Sequence, residues 1–465
     1  MTLPVHVVEN LKARMELLES DFETWLSRTD VNGQLKQHHT QVRRATGVIN
    51  GMITVAFDGT AIVDASVAPD LNDLPELRDK VRSIHVIWDF FRDKFSQRDV
   101  ENIAVHLGAA DDLAWELYKP FLNAASEVDG FDKKVKEPPL LFYTPEPAPY
   151  AQARTKQFQP LGINEFDFKR FEDILSRIPV PVIAVPWASA NRLPDLVVVG
   201  HETGHIVAED LGLKDDLVAL IQRLDLPEDA EGKRKKCWLS WSDEVFADIF
   251  GTLATGMAFI DGLAGELAGP SGEIRFAEVN FSEPGSYPTP TLRIVLCEAV
   301  LELVSVPSNS HWQAAFGNLV NDSRKFGNDI KLIVAKILAN QWVSLNSKTL
   351  TELLPWDNSM QQQVETNAQR ALMPADLTGE FTVRQTVATS MHAWQSKPKR
   401  YLDKNIDRNL AAQIVVKRAN EVRSILTQAI RTGSSTMELT PDFGADDEQL
   451  GTQLATSFFA KPDND

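Results

Sequence analysis

The chain has 465 residues and a formal charge of −18, and 43% of its residues are hydrophobic and 24% charged. This composition is that of an ordinary globular protein, and it excludes a wholly disordered chain, a collagen and a coiled-coil rod. The acidic surplus argues against nucleic acid or an anionic membrane as a partner, because contact with phosphates needs an excess of Lys and Arg. The length predicts roughly two to three domains.

Redox and targeting features of the sequence indicate a reducing compartment. The cysteines are Cys237 and Cys297 alone, so a framework of disulfides does not hold the chain together. Near the N-terminus, Glu9, Lys12 and Arg14 interrupt any apolar segment, which is unlike a signal peptide. The longest apolar stretches fall well short of the roughly 20 residues that a membrane helix needs. We therefore expect a soluble, cytoplasmic protein with no membrane partner.

Residues 1–136 are predicted to be a mostly helical region. Apolar residues recur there at spacings of three and four, which is the pattern of a helix that buries one face. The segments with this pattern are Val8–Leu26, Leu77–Phe95 and Asp111–Ala124. Between the first two segments, Gly51–Val67 alternates β-branched residues around an Asp-Gly pair, which predicts a β-hairpin.

The composition changes at a proline-rich connection, Glu137–Pro149, and we place a domain boundary there. Residues 137–306 form the second predicted domain. Residues 307–439 return to long apolar helical stripes and form a C-terminal helical region. Residues 440–465 are rich in Asp and Gly, and we expect a poorly ordered tail.

The second domain contains the pattern that carries chemistry. A predicted helix at Leu196–Leu211 holds His201, Glu202 and His205 in an H-E-x-x-H arrangement. On a helix, the two histidines lie on one face, so both imidazoles can point at one ion. From its position, Glu202 can reach a water at the open position of that ion. This layout is the one that a zinc hydrolase needs, with two neutral imidazoles as ligands and a carboxylate as general base.

The residues that flank the motif favour a metal site over a pair of surface histidines. Val197–Val199 and Ile206–Val207 predict a helix that is buried on most faces. Burying His-Glu-His there without partners leaves polar groups unsatisfied, at a cost of roughly one to several kcal/mol each. Ala208 and Leu211 stand where a metzincin has Gly and a third His, so that class of site is excluded.

A second predicted helix offers further carboxylates. Glu244 and Asp248 are four residues apart and therefore share one face, with the small Ala247 beside them. Such a face suits close packing against the first helix, where Gly204 also removes bulk. Ser242 or Asp243 can cap the start of this second helix. The alternative interpretation is that the acidic pair complements the helix macrodipole.

Together, the two segments resemble the gluzincin metallopeptidases, in which H-E-x-x-H on one helix is completed by Glu on a later helix. The E-x-x-A-D form is especially similar to that of the CAAX prenyl proteases and their soluble relatives. The resemblance implies that His201, His205 and Glu244 bind one zinc ion and that Glu202 is the general base. It further implies that Asp248 hydrogen-bonds a ligating His and fixes its tautomer.

The fold that we expect is α+β and mainly helical. It has a zincin-like core, with a small sheet over a pair of active-site helices, and flanking helical regions. Pro179–Trp187 precedes the motif helix and is predicted to be extended, with its prolines on an edge strand or at strand ends. In gluzincins an edge strand at this place lines the cleft and pairs with extended substrate. An ordinary core strand is the alternative.

A further segment, S-Y-P-T-P-T-L-R-I at residues 286–294, is similar to one that follows the ligand Glu in some related peptidases. Within it, Tyr287 or Arg293 could steady the oxyanion that forms during hydrolysis. The alternative is a capped helix start with Pro290 in its first turn.

The sequence therefore predicts a zinc metallopeptidase that acts on a protein or peptide substrate. The G-x-M-E-N type of aminopeptidase signature is absent, which favours an endopeptidase. The alternative is a regulatory or interaction protein that retains a zinc site and binds through its helical arms. A structural zinc site is closed by four protein ligands, whereas three ligands and a general base leave an open position.

Overall fold

The computed structural model describes most of the chain. The described residues are 3–30, 33, 35–57, 74–130, 138–146, 149–152, 178, 180–226, 233–267, 279, 283–307, 321–373, 381–403, 405–417 and 444–459. Helices dominate this part of the chain, and a small sheet lies between the N-terminal and central helices.

The N-terminal region consists of amphipathic helices. These are α1 (Leu3–Thr29), α2 (His39–Phe57), α3 (Leu74–Ser96) and α4 (Glu101–Ser126). The apolar stripe predicted for α1 is buried, and its residues are Leu11, Met15, Leu18, Phe22 and Trp25. The helices form because this spacing lets one face pack on its neighbours while the other face stays in water.

The sheet is built from short strands, β1 (Leu140–Thr144), β2 (Tyr150–Gln152) and β3 (Val182–Pro186). Their order is β1-β3-β2. β3 runs parallel to β1, with Leu140 opposite Val182, and antiparallel to β2, with Tyr150 opposite Ala184. All residues of β1 and β3 are buried.

The strand before the motif helix is therefore the central strand. The alternative of an ordinary core strand is confirmed, and the interpretation as an edge strand that pairs with substrate is wrong. β3 has a hydrogen-bonded neighbour on each side, so its backbone is not free to pair with substrate. Proline is tolerated because Pro181 precedes the strand and Pro186 ends it, as the alternative of strand ends allowed. Among the described residues, β2 is the edge strand on the side of the motif helix.

Helices make up the rest of the described chain. The central helices are α5 (Val198–Asp210), α6 (Leu213–Arg223), α7 (Lys233–Ser240), α8 (Ser242–Thr255), α9 (Met257–Glu266) and α10 (Pro290–Leu303). The C-terminal helices are α11 (Asn321–Ala339), α12 (Leu350–Leu353), α13 (Asn358–Ala371), α14 (Val383–Ser396), α15 (Pro398–Asp403), α16 (406–417) and α17 (Gly444–Phe459).

The expected disorder of the tail 440–465 is contradicted by α17, which packs along α2. Leu454 and Ala455 are buried in this contact, and Asp447 accepts hydrogen bonds from Arg44 at 3.2 and 3.4 Å. The polar composition of the tail led to the wrong expectation of disorder, because only a narrow face of small and apolar residues on α17 contacts α2. The other residues of the tail lie outside the described part of the chain.

The predicted hairpin at Gly51–Val67 is wrong over its first part. Residues up to Phe57 are helical and complete α2, while 58–67 lie outside the described residues. Met52 and Ile53 are buried in the N-terminal core, and this packing outweighs the local preference of β-branched residues for strands.

The sheet separates two hydrophobic clusters of described residues. One face of the strands, with Leu140, Phe142, Val182 and Ala184, joins the cluster of α1–α3 and α17. The other face joins a larger cluster that contains α4, the central helices and the C-terminal helices that precede α17. Since α4 belongs to the larger cluster, the packing crosses the border predicted at residue 136.

The architecture is thus α+β and mainly helical, as predicted. Within the described residues, none of the helices has both the length and the hydropathy to cross a membrane. Cys237 and Cys297 are both buried and form no disulfide.

The contact between α2 and α17 predicts a strong effect of a small substitution. In Gly451→Ala, the added Cβ would lie 1.8 Å from the carbonyl oxygen of Val48, so the helices must separate. Overpacking of this kind costs about 1–3 kcal/mol. We expect a lower Tm in thermal unfolding. Gly327→Ala in α11 is the control, because a Cβ there meets nothing within 4 Å; equal Tm values for the two variants contradict the close contact.

Candidate metal centre

α5 carries the H-E-x-x-H pattern into the interior of the protein. A 3₁₀ turn, Leu193–Val197, leads directly into this helix. Val199 and Val207 are fully buried, so the helix is enclosed on most faces, as the flanking sequence predicted. His201 and Glu202 are only 7% and 5% exposed, and they need partners within the protein.

α8 packs against α5 at very short range because small residues face each other. A Cβ on Gly204 would lie 2.9 Å from the Cβ of Phe250 and 3.1 Å from the Cα of Ala247. One turn earlier, a Cβ on Gly200 would lie 3.3 Å from the Cα of Gly251. No larger side chain fits at these positions, so the small-residue face predicted from the sequence sets the distance between the helices.

This close approach brings three ligand groups together. The Nε2 atoms of His201 and His205 are 3.1 Å apart. Glu244 faces both rings, with Oε2 3.3 Å from Nε2 of His201 and Oε1 3.6 Å from Nε2 of His205. These groups could hold a metal ion, and among the described residues no other His, Cys, Asp or Glu joins them.

A carboxylate stands behind each imidazole. Nδ1 of His201 lies 3.0 Å from Oδ1 of Asp248. Nδ1 of His205 lies 3.4 Å from Oδ2 of Asp243, which also accepts a hydrogen bond from Lys214 at 3.2 Å. Protonation on Nδ1 leaves the Nε2 lone pairs directed at the common centre, which is the tautomer that a metal ligand requires.

The donor set fits a small divalent cation. Tetrahedral coordination with bonds of 2.0–2.2 Å separates the ligand atoms by roughly 3.3–3.6 Å, and the observed separations of 3.1, 3.3 and 3.6 Å are close to this. Oε2 of Glu244 is moreover buried without a hydrogen-bond partner. A buried carboxylate oxygen in that state is costly, and a cation at the centre would satisfy it.

Arg293 fixes the carboxylate that supports His201. Its Nε and Nη2 donate hydrogen bonds to both oxygens of Asp248, at 2.8 and 2.7 Å. Its Nη2 also lies 3.9 Å from Oε2 of Glu244. Asp248 is fully buried, so this two-point ion pair is what makes its negative charge tolerable there.

The electrostatics of the cluster favour a positive charge at its centre. Burial by itself lowers the pKa of His201, but the contacts with Asp248 and Glu244 outweigh it and raise the pKa to about 9. Burial raises the pKa of Asp248, whereas the guanidinium of Arg293 and the ring of His201 bring it down to about 2. The metal-free cluster therefore holds a proton where a cation would bind.

Glu202 and the ligand face of α5 line a cleft of about 550 Å³. Tyr287 and Arg293 contribute to the same cleft. Tyr287 is 59% exposed, and its ring lies 5.6 Å from the guanidinium carbon of Arg293. Partial burial and the charges of Glu244 and Glu202 raise the pKa of Tyr287 to about 12, so its hydroxyl is a hydrogen-bond donor at neutral pH.

The structure brings together every site residue that the sequence selected, which are His201, Glu202, His205, Glu244, Asp248, Tyr287 and Arg293. Asp243 was missed, because the sequence indicated only a helix cap. The sequence feature that could have identified Asp243 as a site residue is its position directly before Glu244. Comparison of the chain with family models, with curated proteins and with solved structures gave no match.

Asp243→Asn tests the carboxylate behind His205. We expect metal affinity to fall about 10–100-fold, because an amide no longer selects and holds the Nδ1-protonated ring. Titration of the metal-free protein with Co²⁺, followed by visible absorption, measures this. Asp79→Asn is the matched control, since Asp79 is 68% exposed and lies on α3. Unchanged affinity in Asp243→Asn contradicts the supporting role.

The protonated cluster predicts a pH dependence for the metal-free protein. The folded-state pKa of His201, about 9, exceeds its unfolded value of 6.5, so the folded state binds more protons between these pH values. The free energy of unfolding therefore decreases as pH rises from 6.5 to 9. Urea unfolding with a chelator present checks this against His201→Gln. The decrease should be smaller in the variant, and equal decreases contradict the prediction.

Proposed function

We propose that this chain is a zinc-dependent metallopeptidase, an endopeptidase that hydrolyses peptide bonds in a protein or peptide substrate. One observation carries the proposal. The buried carboxylate of Glu202 lines the same cleft as His201, directly beside a centre where three ligand groups converge. A general base, an open coordination position and a cleft for substrate are the parts that metal-assisted hydrolysis requires.

One zinc ion is the cofactor that we propose. Two imidazole nitrogens and one carboxylate oxygen at near-tetrahedral spacing are the ligands found in catalytic zinc sites. Calcium and magnesium instead prefer a larger set of oxygen ligands. The helix pair that supplies these groups is the basis for proposing a zincin-like core.

In this proposal, different residues of the chain act as the general base and as the groups that position the ligand imidazoles. Zinc, when bound, supplies Lewis acidity that polarises the scissile carbonyl and lowers the pKa of water at the open position. Glu202 accepts the proton of the attacking water and passes it to the leaving amine. Asp248 and Asp243 keep the ligand imidazoles in one tautomer and orientation.

Tyr287 and Arg293 take different roles in this proposal. The guanidinium of Arg293 donates hydrogen bonds to both oxygens of Asp248, so its main role is to position that carboxylate. Tyr287 is partly exposed at the cleft, and its hydroxyl remains protonated at neutral pH. We therefore assign to Tyr287 the donation of a hydrogen bond to the carbonyl oxygen as negative charge develops on it.

The number of protein ligands favours the peptidase over a regulatory protein with a structural zinc site. A structural site is closed by four protein ligands. In the part of the chain that the structure describes, the group contains His201, His205 and Glu244 and no fourth side chain. Glu202 lines the same cleft as His201, and a purely structural site does not need such a carboxylate there.

The test separates metal binding from chemistry. We expect about one zinc per wild-type chain by elemental analysis, and loss of zinc in Glu244→Ala, which removes one ligand. Glu202→Gln should keep its zinc, yet its rate of peptide cleavage should fall by at least about a hundredfold, since the general base is lost. Cleavage is measured on casein and on a quenched-fluorescence peptide library.

Glu302→Gln is the control for both measurements. Its side chain is 64% exposed and pairs with Lys331 on the surface, so zinc content and cleavage should remain those of wild type. A folded wild-type chain that takes up no zinc refutes the proposal. Cleavage that persists in Glu202→Gln shows that a different group, or a contaminant, performs the reaction.

A further inference from the structure

The cleft extends well beyond the metal centre. From His201 and Glu202 it continues to α9, to α14 and to the 3₁₀ turn that precedes α5. Its volume of about 550 Å³ is more than the zinc site and an attacking water require. The far part is therefore available for a substrate side chain, and its lining determines which side chain it accepts.

One wall of this far part is apolar. Leu263 from α9, Met391 from α14 and Val197 before α5 line it, and all three are buried. Phe259 of α9 continues the apolar lining toward the metal centre, where its ring stacks beside His201 at 6.2 Å between centroids. Trp394 adds an aromatic face at the side of α14. Such a wall suits the methylene stem of a long side chain, which gains by leaving water.

The same part of the cleft is negatively charged. Asp195 and Glu266 line it, and so does Asp261, whose Oδ2 lies 3.9 Å from Nδ1 of His392. Arg192 is the cation among the described residues that line this end. Arg192 lies 3.2 Å from Asp195 and over the ring of Trp394, at 5.0 Å from its centroid. One guanidinium held in this way leaves an excess of negative charge in the cavity.

The negative charge of Asp195 acts on Glu266. Partial burial raises the pKa of Glu266, and the charge of Asp195 raises it further, against a smaller opposite effect of Arg192. The pKa of Asp195 is likewise raised, chiefly by burial, although Arg192 opposes the shift. Carboxylates that repel each other beside an apolar wall are stabilised when a cation enters between them.

We infer that the far part of the cleft is a subsite for a basic side chain, Lys or Arg, of the peptide substrate, with Asp195 and Glu266 as its specificity-determining residues. The inference rests on the proposed peptidase function, since it concerns which peptides that cleft accepts. The apolar wall receives the aliphatic stem, and the carboxylates receive the ammonium or guanidinium head.

The same lining disfavours other side chains. An acidic side chain would bring a further negative charge next to Asp195 and Glu266, which costs free energy in a partly desolvated cavity. An uncharged aliphatic side chain gains the contact with the wall but leaves the carboxylate repulsion unrelieved. Norleucine, which has a stem like that of lysine without the charge, separates these two contributions.

The experiment measures binding rather than cleavage. The probes are three fluorescein-labelled heptapeptide libraries that carry Lys, norleucine or Glu at the central position and random Ala, Ser, Leu and Phe elsewhere. Each is titrated by fluorescence anisotropy with the zinc-loaded full chain carrying Glu202→Gln, which keeps the peptides intact. We expect Lys peptides to bind roughly five- to tenfold more tightly than norleucine peptides, and Glu peptides most weakly.

Variants of Glu266 test the assignment of the charge. Glu266 is exposed, so its substitution is compatible with folding. In the same background, Glu266→Gln should reduce the Lys-over-norleucine ratio to about twofold or less, and Glu266→Lys should favour Glu peptides. Glu302→Gln, which removes a carboxylate from an exposed surface position, should leave the ratio unchanged.

The outcomes separate this inference from the proposed function. Equal binding of Lys and norleucine peptides, an unchanged ratio in Glu266→Gln, or no binding of any library overturns the basic subsite. Discrimination for Lys that depends on Glu266 establishes it, whether or not the wild-type chain cleaves the peptides. Cleavage of Lys peptides by wild type is scored separately, and its absence counts against the peptidase alone.

Discussion

The close contact between α5 and α8 is the constraint on which the candidate centre depends. Gly204 lies against Phe250 and Ala247 with no room for a Cβ, so the two helix backbones come within reach of short side chains. Only at that separation can a Glu on one helix face two imidazoles on the other. The ligand geometry is therefore a consequence of backbone packing. The packing in turn requires small residues at positions that supply no ligand themselves.

Bringing these groups together places like charges close to each other, and a neighbouring arginine offsets their repulsion. Glu244 and Asp248 are buried one helical turn apart and repel each other. The guanidinium of Arg293 holds Asp248 at two points and lies near Glu244, which offsets much of that repulsion. Oε2 of Glu244 still lacks a hydrogen-bond partner. A divalent ion held by the three ligand groups would supply that contact.

The sequence predicted most of this centre because the decisive spacings are local. His201 and His205 share a face through helical periodicity, and so do Glu244 and Asp248, whatever surrounds them. Asp243 was missed because its contact with His205 depends on how the two helices are oriented, and one helix alone carries no signal of that. Long-range packing also decided the elements that were predicted wrongly. β3 became a central strand, and the tail became a helix, because partners remote in the sequence cover them.

The start of α5, the helix that carries the candidate ligands His201 and His205, shows why so small a centre involves so much of the chain. The backbone N–H of Leu193 donates a hydrogen bond of 2.8 Å to Asp407, more than two hundred residues later in the sequence. The same carboxylate accepts a hydrogen bond from Tyr401 and contacts His106 of α4. A cap built from three remote segments fixes where the 3₁₀ turn begins, and so fixes the axial position of α5 against α8. A shift of one residue along that axis would move His201 out of line with Glu244. The C-terminal helices therefore belong to the architecture of the centre, even though their described residues supply none of the candidate ligands.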